Sequence, residues 1–381
     1  MKVLIVNQHS NNFGDDAAGV AVVNNLLKNE NITQIELLYC MPGTIPVMNE
    51  RVIHNHELDV RKFNRREFLY YYFLRIKRGQ FLPAFIEKIK EYDVVLVSPC
   101  GANLGIYKDW QLLFQDMLVV MRKKPLIFHL NTISPSKNRL FDFLVVRLCK
   151  KTSVYVREKA SYDFLKGHGI NVKLGTDSAF SLESKTKLQK NKKRIVFVPS
   201  DLWSWHVDFK DRHKEDFYKL ILEPLGKFAK DKNMEICILP HTNKETEFKF
   251  NEEIKKYLSE NYVGDKVEVA VINSAYEYED YIRSANMVVG MRYHSIVFAC
   301  KNQIPYLALA YEQKMKEVSS YSGQIEYYID LKKLELPTVV EEKLSNIVEK
   351  HDEIEKELSE RKEMLIEKSL MVIKEKFSEE V

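Results

Sequence analysis

Two side chains that can bind an anion and move a proton lie close together in the stretch Met287–Ala299, MVVGMRYHSIVFA. An apolar run that ends in Gly290 predicts a buried parallel strand, and the apolar spacing from Tyr293 to Cys300 predicts a helix. Arg292 and His294 therefore fall where the strand ends and the helix begins. Open α/β sheets bind their ligands at such junctions.

The chemistry predicted for this junction is anion binding combined with proton transfer. The first turn of a helix offers free N–H groups and a positive dipole end, and Arg292 adds a planar, two-pronged donor for phosphate or carboxylate. His294 can exchange a proton near neutral pH. Spacing alone leaves a structural alternative open, in which Arg292 pairs with a carboxylate and His294 caps its helix.

Lys314 and His241 are further candidates at the carboxyl ends of predicted strands. Lys314 follows the strand Pro305–Leu309 and would bring another cation to the edge of the sheet that holds Arg292. His241 follows the strand Ile236–Leu239, in the sequence ILPHTNK. Because most isolated lysines are solvated, the position of Lys314 by itself leaves both interpretations open.

Arg157 is the corresponding candidate in the first half of the chain. It ends the strand in TSVYV and precedes the helix in EKASYDFL. An arginine at the carboxyl end of a strand in an open sheet is well placed to contact a ligand. The alternative is an ion pair with Glu158 or Asp163.

The chain resembles the polysaccharide pyruvyl transferases, enzymes that move the enolpyruvyl group of phosphoenolpyruvate onto a sugar and close it into a ketal. The resemblance rests on four segments in the same order along the chain: NNFGDDAA at Asn11–Ala18, VREKAS at Val156–Ser161, GTDSAF at Gly175–Phe180, and RYHSIVFA at Arg292–Ala299 with PYLALAYEQK downstream. The sequence departs from the family pattern at Ser98–Gly105, where the family usually shows more glycines, and at Ser178, where it often has proline.

The resemblance implies a role for each matching residue. Arg292 would hold an anionic group of phosphoenolpyruvate, His294 would be the general acid, and Arg157 and Lys314 would neutralise carboxylate and phosphate. Substrate-binding roles are expected for seven further residues: Asn11, Gly14, Asp15, Gly101, Asp177, His241 and Tyr293. For the aspartates, capping of the following helix is the alternative role.

The implied reaction needs no metal ion, and we expect neither a metal site nor a cofactor beside the donor phosphoenolpyruvate. His54 and His56 form an HxH pair, but the surrounding sequence lacks the further ligands of a zinc site. The expected partners are phosphoenolpyruvate and a sugar or oligosaccharide acceptor, for which a lipid-linked form is left open. Trp203 and Trp205 could stack on a sugar or pack within a loop.

The composition is that of a soluble globular protein, with 45% hydrophobic and 29% charged residues. A formal charge of +4 is far from that of a dedicated nucleic-acid binder. The five cysteines are scattered and form no CxxC, which indicates reduced thiols and a cytoplasmic protein. No apolar stretch reaches the roughly 18 residues of a membrane span.

Strands and helices alternate in two blocks, which predicts parallel sheets in two Rossmann-like domains. The first block opens with the strand Lys2–Val6, the loop Asn7–Gly14 and a helix from Asp15 to Leu27. The charged segment Lys185–Lys193 has no apolar periodicity and predicts a linker.

The expected fold is therefore α/β, with two facing Rossmann-like domains of the GT-B type and a C-terminal helical tail. The predicted divisions are an acceptor-side domain at 1–188 that contributes Arg157, a phosphoenolpyruvate-binding domain at 189–335, and a helical segment at 336–381.

The segment Arg61–Arg78, RKFNRREFLYYYFLRIKR, is both basic and aromatic. Such a segment can lie on an anionic bilayer, so contact with the inner face of the membrane is one interpretation. The alternative is a helix that packs its apolar side inward and keeps its charges in water.

The function that these observations favour is pyruvyl transfer in the synthesis of an exopolysaccharide, capsule or cell-wall glycan. Two alternatives remain open at this point. A GT-B glycosyltransferase would share the fold and the cationic site but use a nucleotide sugar. A non-catalytic glycan-binding protein would bind sugar without an anionic donor.

Overall fold

A computed structural model describes residues 1–77, 79–184 and 188–378 of the chain. Arg78 of the basic segment and Lys185–Lys187 of the predicted linker lie outside the described residues. The chain divides into two compact units. The N-terminal unit comprises Met1–Asn11, Asp15–Leu182 and the chain from Ile366 onward, and the C-terminal unit comprises Asn12–Gly14 and Glu183–Leu365.

In the described part of the N-terminal unit, seven parallel strands form one sheet in the order β3-β2-β1-β4-β5-β6-β7. The strands are β1 (Lys2–Gln8), β2 (Gln34–Tyr39), β3 (Val52–Asn55), β4 (Val94–Val97), β5 (Leu126–Asn131), β6 (Ser153–Val156) and β7 (Val172–Leu174). This is a Rossmann order that reverses between β1 and β4. The central strands read as continuous apolar runs because helices cover both faces of a parallel sheet.

Helices connect these strands. They are α1 (Phe13–Leu27), α2 (Arg65–Leu74), α3 (Phe81–Lys90), α4 (Trp110–Met121), α5 (Arg139–Cys149) and α6 (Lys159–Gly167). Inward-facing residues of α2 to α6 and of the strands form one buried apolar core. Three of the helices have a side-chain N-cap: Asn64, Asp109 and Asn138 accept hydrogen bonds from N–H groups of the first turn.

The C-terminal unit repeats the same plan over its described residues. Six parallel strands pair in the order β10-β9-β8-β11-β12-β13, so the order reverses between β8 and β11. The strands are β8 (Arg194–Val198), β9 (Glu235–Ile238), β10 (Val267–Val269), β11 (Met287–Gly290), β12 (Tyr306–Ala310) and β13 (Tyr328–Asp330). The helices are α7 (Leu202–Trp205), α8 (Lys214–Phe217), α9 (Glu223–Asp231), α10 (Glu245–Leu258), α11 (Ala275–Ser284), α12 (Tyr293–Lys301) and α13 (Gln313–Tyr321).

Three further helices end the described chain: α14 (Thr338–Glu349), α15 (His351–Ser369) and α16 (Met371–Lys376). The predicted separate segment 336–381 is shared between the units, because the division falls within α15 after Leu365. In the N-terminal unit, Glu375 accepts hydrogen bonds from Tyr155 at 2.8 Å and Lys173 at 2.6 Å. No helix of the described residues is long and apolar enough to span a bilayer.

The two parallel sheets confirm the predicted Rossmann-like architecture. The sequence did not predict the edge strands β3, β7 and β13. The predicted helix Phe217–Ala229 is composed of α8, a π-helical turn at Tyr218–Leu222 and α9.

Candidate active site

The carboxyl end of β11 lies where the strand order of the C-terminal sheet reverses. The N–H of Met291 still pairs with the carbonyl of Val198 at 2.8 Å, and Arg292 then takes the extended position before α12. A Cβ on Gly290 would lie 2.2 Å from Ser295 Oγ, so glycine permits the first turn of α12 to approach the strand. Arg292 and the start of α12 are therefore found where the sequence predicts them.

His294 lies in the first turn of α12 and is only 5% exposed. Gly14, which belongs to the same unit, packs against the imidazole: a Cβ there would lie 1.9 Å from Nδ1. The segment is held in place because the N–H of Phe13 donates to the carbonyl of His241 at 3.2 Å. Phe13 also stacks on Tyr278, with ring centres 5.9 Å apart. A larger residue at position 14 would displace the histidine ring, so glycine is required here for packing, while the substrate-binding role expected for Gly14 stays a prediction.

His241 is buried beside His294, with the two rings 6.1 Å apart and nearly parallel. Burial holds the pKa of His241 well below its ordinary value, and the charges of Arg292, His294 and Lys314 lower it further. His241 Nδ1 lies 3.1 Å from the hydroxyl of Tyr278, whose pKa is raised by burial and by Glu247. His241 is therefore a neutral imidazole at a place where positive groups converge.

Glu247 also lies at this site, and the sequence did not predict it as a site residue. Located in the first turn of α10, it accepts hydrogen bonds from the N–H of His241, the N–H of Thr242 at 3.2 Å and the Thr242 hydroxyl at 2.7 Å. Its Oε2 also lies 3.6 Å from Nη2 of Arg292. A glutamate near the start of a predicted helix is the signal that could have revealed it, because such residues often bond back to the preceding loop.

The guanidinium of Arg292 lies near the carboxylate of Glu247 and still has an N–H group that makes no hydrogen bond to any residue that the structure describes. Its Nε is buried and has no hydrogen-bond partner among the described residues. The half-exposed indole of Trp205 lies with its ring centre 6.0 Å from Cζ of Arg292. The carboxylate pairing considered from sequence thus exists, and it leaves a buried donor of Arg292 without a partner in the described part of the chain.

Lys314 supplies a further charge near the start of α13. Its Nζ lies 2.7 Å from Glu312 and 5.4 Å from the ring centre of Tyr293. Burial acts to raise the pKa of Glu312, but the neighbouring positive groups, Lys314 foremost among them, together lower it below its ordinary value. The structure therefore brings Tyr293, His294 and Lys314 together with Arg292 and His241 within one unit. Trp203, in contrast, packs against Phe209 and Phe217.

Arg157 lies in the N-terminal unit and is only 3% exposed. Its Nη1 lies 2.6 Å from Asp177, its Nη2 donates to the carbonyl of Cys100 at 3.2 Å, and its Nε lies 3.7 Å from Glu158. The other oxygen of the fully buried Asp177 accepts from the N–H of Ala179 at 2.9 Å. Arg157 thus lies in a buried ion pair, as the structural alternative held, but its close partner is Asp177 rather than Glu158 or Asp163. Removing one partner from such a pair costs about 3–5 kcal/mol.

The remaining predicted residues lie at the carboxyl edge of the N-terminal sheet. Asn11 adopts a left-handed backbone with φ 65° and donates to the carbonyl of Pro42. Asp15 lies in the first turn of α1, and Gly101 follows β4. A Cβ on Gly101 would meet only Tyr107, at 3.9 Å, so sterics do not require glycine there.

A group of potential cation ligands lies away from these residues, at the start of α15. The ligand atoms of His351, Asp352 and Glu355 lie within 4.8 Å of one another. Asp352 is exposed, and exposed acidic groups commonly gather without a metal, so we assign no ion to this group.

A sequence profile described as polysaccharide pyruvyl transferase matches residues 12–313. The chain belongs to the polysaccharide pyruvyl transferase family. This confirms the resemblance drawn from the four ordered segments, and the match includes Arg292, His294 and Gly14. No curated protein matches the chain significantly in sequence.

Solved structures show that this family member has the GT-B fold. UDP-GlcNAc 2-epimerase from Neisseria meningitidis bound to UDP-GlcNAc is 14% identical with a TM-score of 0.62, over 98% of this chain and 99% of that chain. UDP-GlcNAc 2-epimerase from Methanocaldococcus jannaschii is 13% identical with a TM-score of 0.58, over 92% of each chain. At such low identity the likeness concerns the fold alone.

The N-terminal unit of this pyruvyl transferase family member also holds buried polar atoms that the sequence reading missed. Both amide atoms of Asn7, Oδ1 of Asp16 and Oδ1 of Asn131 are buried without a hydrogen-bond partner among the described residues. Asn7 and Asn131 lie near the ends of β1 and β5, and Asp16 lies in the first turn of α1. The sequence signal for the two asparagines is a polar side chain within or directly after an apolar strand. We expect such atoms to be satisfied by a polar ligand or by water.

Asp16→Asn is expected to raise stability at alkaline pH and to leave it nearly unchanged in acid. Burial, assisted by Asp15, raises the pKa of Asp16 from 3.8 to about 8. The folded state therefore holds this proton more tightly than the unfolded chain, so its stabilising effect is complete below about pH 4 and is lost as the pH rises to about 8. An asparagine does not ionise, so the variant keeps its stability as the pH rises.

Thermal unfolding measured from pH 4 to 9 tests this expectation. At pH 8 to 9 the variant should melt above the wild type, by roughly 2–4 °C for each kcal/mol that the substitution adds to the free energy of unfolding. The difference should vanish near pH 4. Asp231→Asn, which makes the same chemical change at an exposed position at the end of α9, is the matched control and should leave the melting profile unchanged. Parallel melting profiles for Asp16→Asn and wild type would show that this carboxyl titrates normally.

Proposed function

We propose that the chain transfers the enolpyruvyl group of phosphoenolpyruvate to two hydroxyls of a sugar and closes it into a pyruvate ketal. The acceptor would be a precursor of an exopolysaccharide, capsule or cell-wall glycan. Family membership supports the transferase activity. The observation that supports an anionic donor is the convergence of Arg292, His294 and Lys314 on His241, whose pKa all three groups depress.

The carboxyl edge of β11 and β12 would hold the donor. Phosphoenolpyruvate carries a carboxylate and a phosphate, and the guanidinium of Arg292 has the fork geometry for either group. Its buried, unfilled Nε is one donor that such a ligand would satisfy. Lys314 would act as a point charge that follows the charge growing on phosphate as it departs, which is where a fixed cation lowers a barrier most.

His294 would donate the proton that starts the reaction. Protonation at C3 of phosphoenolpyruvate makes C2 electrophilic, and a sugar hydroxyl oxygen bonds to C2. The C2–O bond to phosphate then breaks, and the second hydroxyl oxygen closes the ring. Of the two protons released by the hydroxyls, one restores His294 and the other leaves with inorganic phosphate.

His241 and Glu247 would position the reacting groups. A neutral His241 lies beside His294 without adding a competing positive charge, and its carbonyl holds the segment that carries Gly14. Glu247 fixes the loop after β9 and faces Arg292 from α10. Both residues would thus act through Arg292 and His294.

Thermal unfolding with phosphoenolpyruvate tests the donor assignment. A ligand that binds only the folded state stabilises it by about 2.7 kcal/mol at a hundredfold excess over its dissociation constant. We expect phosphoenolpyruvate to raise the melting temperature of the wild type and not that of Arg292→Ala. Pyruvate and inorganic phosphate, tested separately, should have smaller effects.

Other outcomes of the same experiment identify the alternatives. Stabilisation by UDP- or GDP-sugars without an effect of phosphoenolpyruvate would replace the donor assignment with a nucleotide sugar. Stabilisation by glycans alone would indicate a binding protein. Incubation with phosphoenolpyruvate and acceptor sugars, followed by phosphate release and mass spectrometry, then detects the ketal directly.

A further inference from the structure

The outer face of α2 exposes large apolar side chains in unusual density. Leu69, Tyr72 and Phe73 have the i, i+3, i+4 spacing of one helix face, and Leu74 and Ile76 extend it. Phe73 is 73% exposed and Leu74 is 60% exposed. Scattered exposed apolar residues are ordinary, but a contiguous group of this kind marks an interaction surface.

The inner face of the same helix is already occupied. Phe68 stacks on Phe114 of α4, with ring centres 4.4 Å apart, and Tyr71 is buried in the core of the N-terminal unit. Asn64 caps the start of the helix through the N–H of Arg66, and the N–H of Arg75 bonds to the carbonyl of Tyr71 at the end. The inner face thus holds α2 on the N-terminal unit. The exposed apolar face is a second, separate surface of the same helix.

Basic side chains surround the apolar face. The described segment 61–77 contains six Lys or Arg residues and a single acidic residue, Glu67. Two of the basic residues have ion-pair partners: Arg61 pairs with Asp59, and Lys77 lies 3.0 Å from Glu87. Arg65 and Arg66, at the start of the helix, are exposed and have no ion pair among the described residues.

We propose that α2 and residues 75–77 dock the protein on an anionic lipid bilayer. In this arrangement the apolar side chains would enter the boundary between headgroups and acyl chains, while the arginines pair with lipid phosphates. Tyr70 and Tyr72 suit this depth because an aromatic ring with a hydroxyl is favoured at the membrane interface.

Charge decides between a bilayer and a second copy of the chain. A twofold symmetric contact through α2 would place the same apolar patch and the same arginines opposite themselves. The basic excess would then repel across the interface. An anionic bilayer instead attracts each exposed Lys or Arg by about fivefold in binding constant.

Co-sedimentation of the full-length protein with lipid vesicles tests the proposal. We expect binding to phosphatidylcholine vesicles that contain phosphatidylglycerol, weaker binding at high salt, and little binding to phosphatidylcholine alone. Phe73→Ser combined with Leu74→Ser should abolish sedimentation. Arg65→Gln combined with Arg66→Gln should lower the binding constant by about 25-fold, at fivefold for each arginine.

Phe248→Ser is the matched control, since Phe248 of α10 is a lone aromatic residue that is 53% exposed. It should bind anionic vesicles as the wild type does. Melting temperatures verify that every variant remains folded, which is expected because the changed side chains are exposed.

Three results would overturn the proposal. The first is equal binding of the wild type and both α2 variants to anionic vesicles, and the second is absence of binding by all of them. The third is a wild-type dimer in light scattering that Phe73→Ser with Leu74→Ser converts to monomer, which would assign the surface to a second copy. The proposal does not rest on pyruvyl transfer, because vesicle binding and phosphoenolpyruvate binding are measured separately.

Discussion

His294→Ala is expected to lower turnover by about 10² to 10⁴-fold while the protein remains folded. This range is the usual contribution of a general acid that protonates a reacting carbon. The imidazole lies in the first turn of α12, with Gly14 packed directly against Nδ1. The measurement is phosphate release from phosphoenolpyruvate in the presence of an acceptor sugar, together with ligand-induced stabilisation.

His168→Ala is a matched control, because His168 is exposed at the end of α6 in the other unit. It should leave turnover unchanged. A donor that still stabilises His294→Ala, combined with the loss of turnover, would separate proton transfer from donor binding. Wild-type turnover in His294→Ala would remove this histidine from the mechanism and direct attention to other proton donors.

Arg292→Lys is expected to weaken phosphoenolpyruvate binding by about ten- to a hundredfold. A charge-assisted hydrogen bond contributes about 1.5–3 kcal/mol, and a lysine retains the charge but loses the planar fork. The shorter reach of an ammonium would also disturb the contact with Glu247, now 3.6 Å from Nη2. Titration of the melting temperature with phosphoenolpyruvate gives the change in affinity.

Arg283→Lys provides the control for the same chemical change, since Arg283 lies at the end of α11 and faces Asp280 at 3.9 Å. It should bind the donor as the wild type does. Unchanged affinity in Arg292→Lys would assign Arg292 a structural role through Glu247, and the donor site would have to be sought elsewhere.

The junction of β11 and α12 shows which features the sequence specifies locally. An apolar run, a glycine and a change to helical spacing lie within a few residues, and the observed limits Met287–Gly290 and Tyr293–Lys301 match the prediction closely. Each of these signals depends on neighbouring residues in the chain. Local sequence therefore sufficed to place Arg292 and His294.

Three strands at the sheet edges show the opposite case. β3, β7 and β13 have the sequences VIHN, VKL and YID, in which polar residues interrupt the apolar run that identified the equally short central strands. They become strands because a neighbouring strand offers unpaired backbone groups, as β12 does for β13. Such pairing depends on partners distant in sequence.

The two arginines singled out from sequence illustrate the same division within the candidate sites. Both follow a strand and precede a helix, so the sequence presents them as equivalent. Packing makes them different: Arg157 lies in a buried pair with Asp177, whereas Arg292 has a longer contact with Glu247 and an unfilled Nε. Their carboxylate partners come from separate segments of the chain.

The sequence by itself determined the two parallel sheets, the family and the strand-to-helix junction that carries Arg292 and His294. These follow from local periodicity and from ordered motifs. Only the tertiary structure decided that the ring of His241 lies beside that of His294, that Glu247 faces Arg292, and that α2 keeps an apolar face exposed. The physical reason is that burial and hydrogen-bond partners depend on which distant elements pack together. The spacing of residues along the chain does not determine that packing.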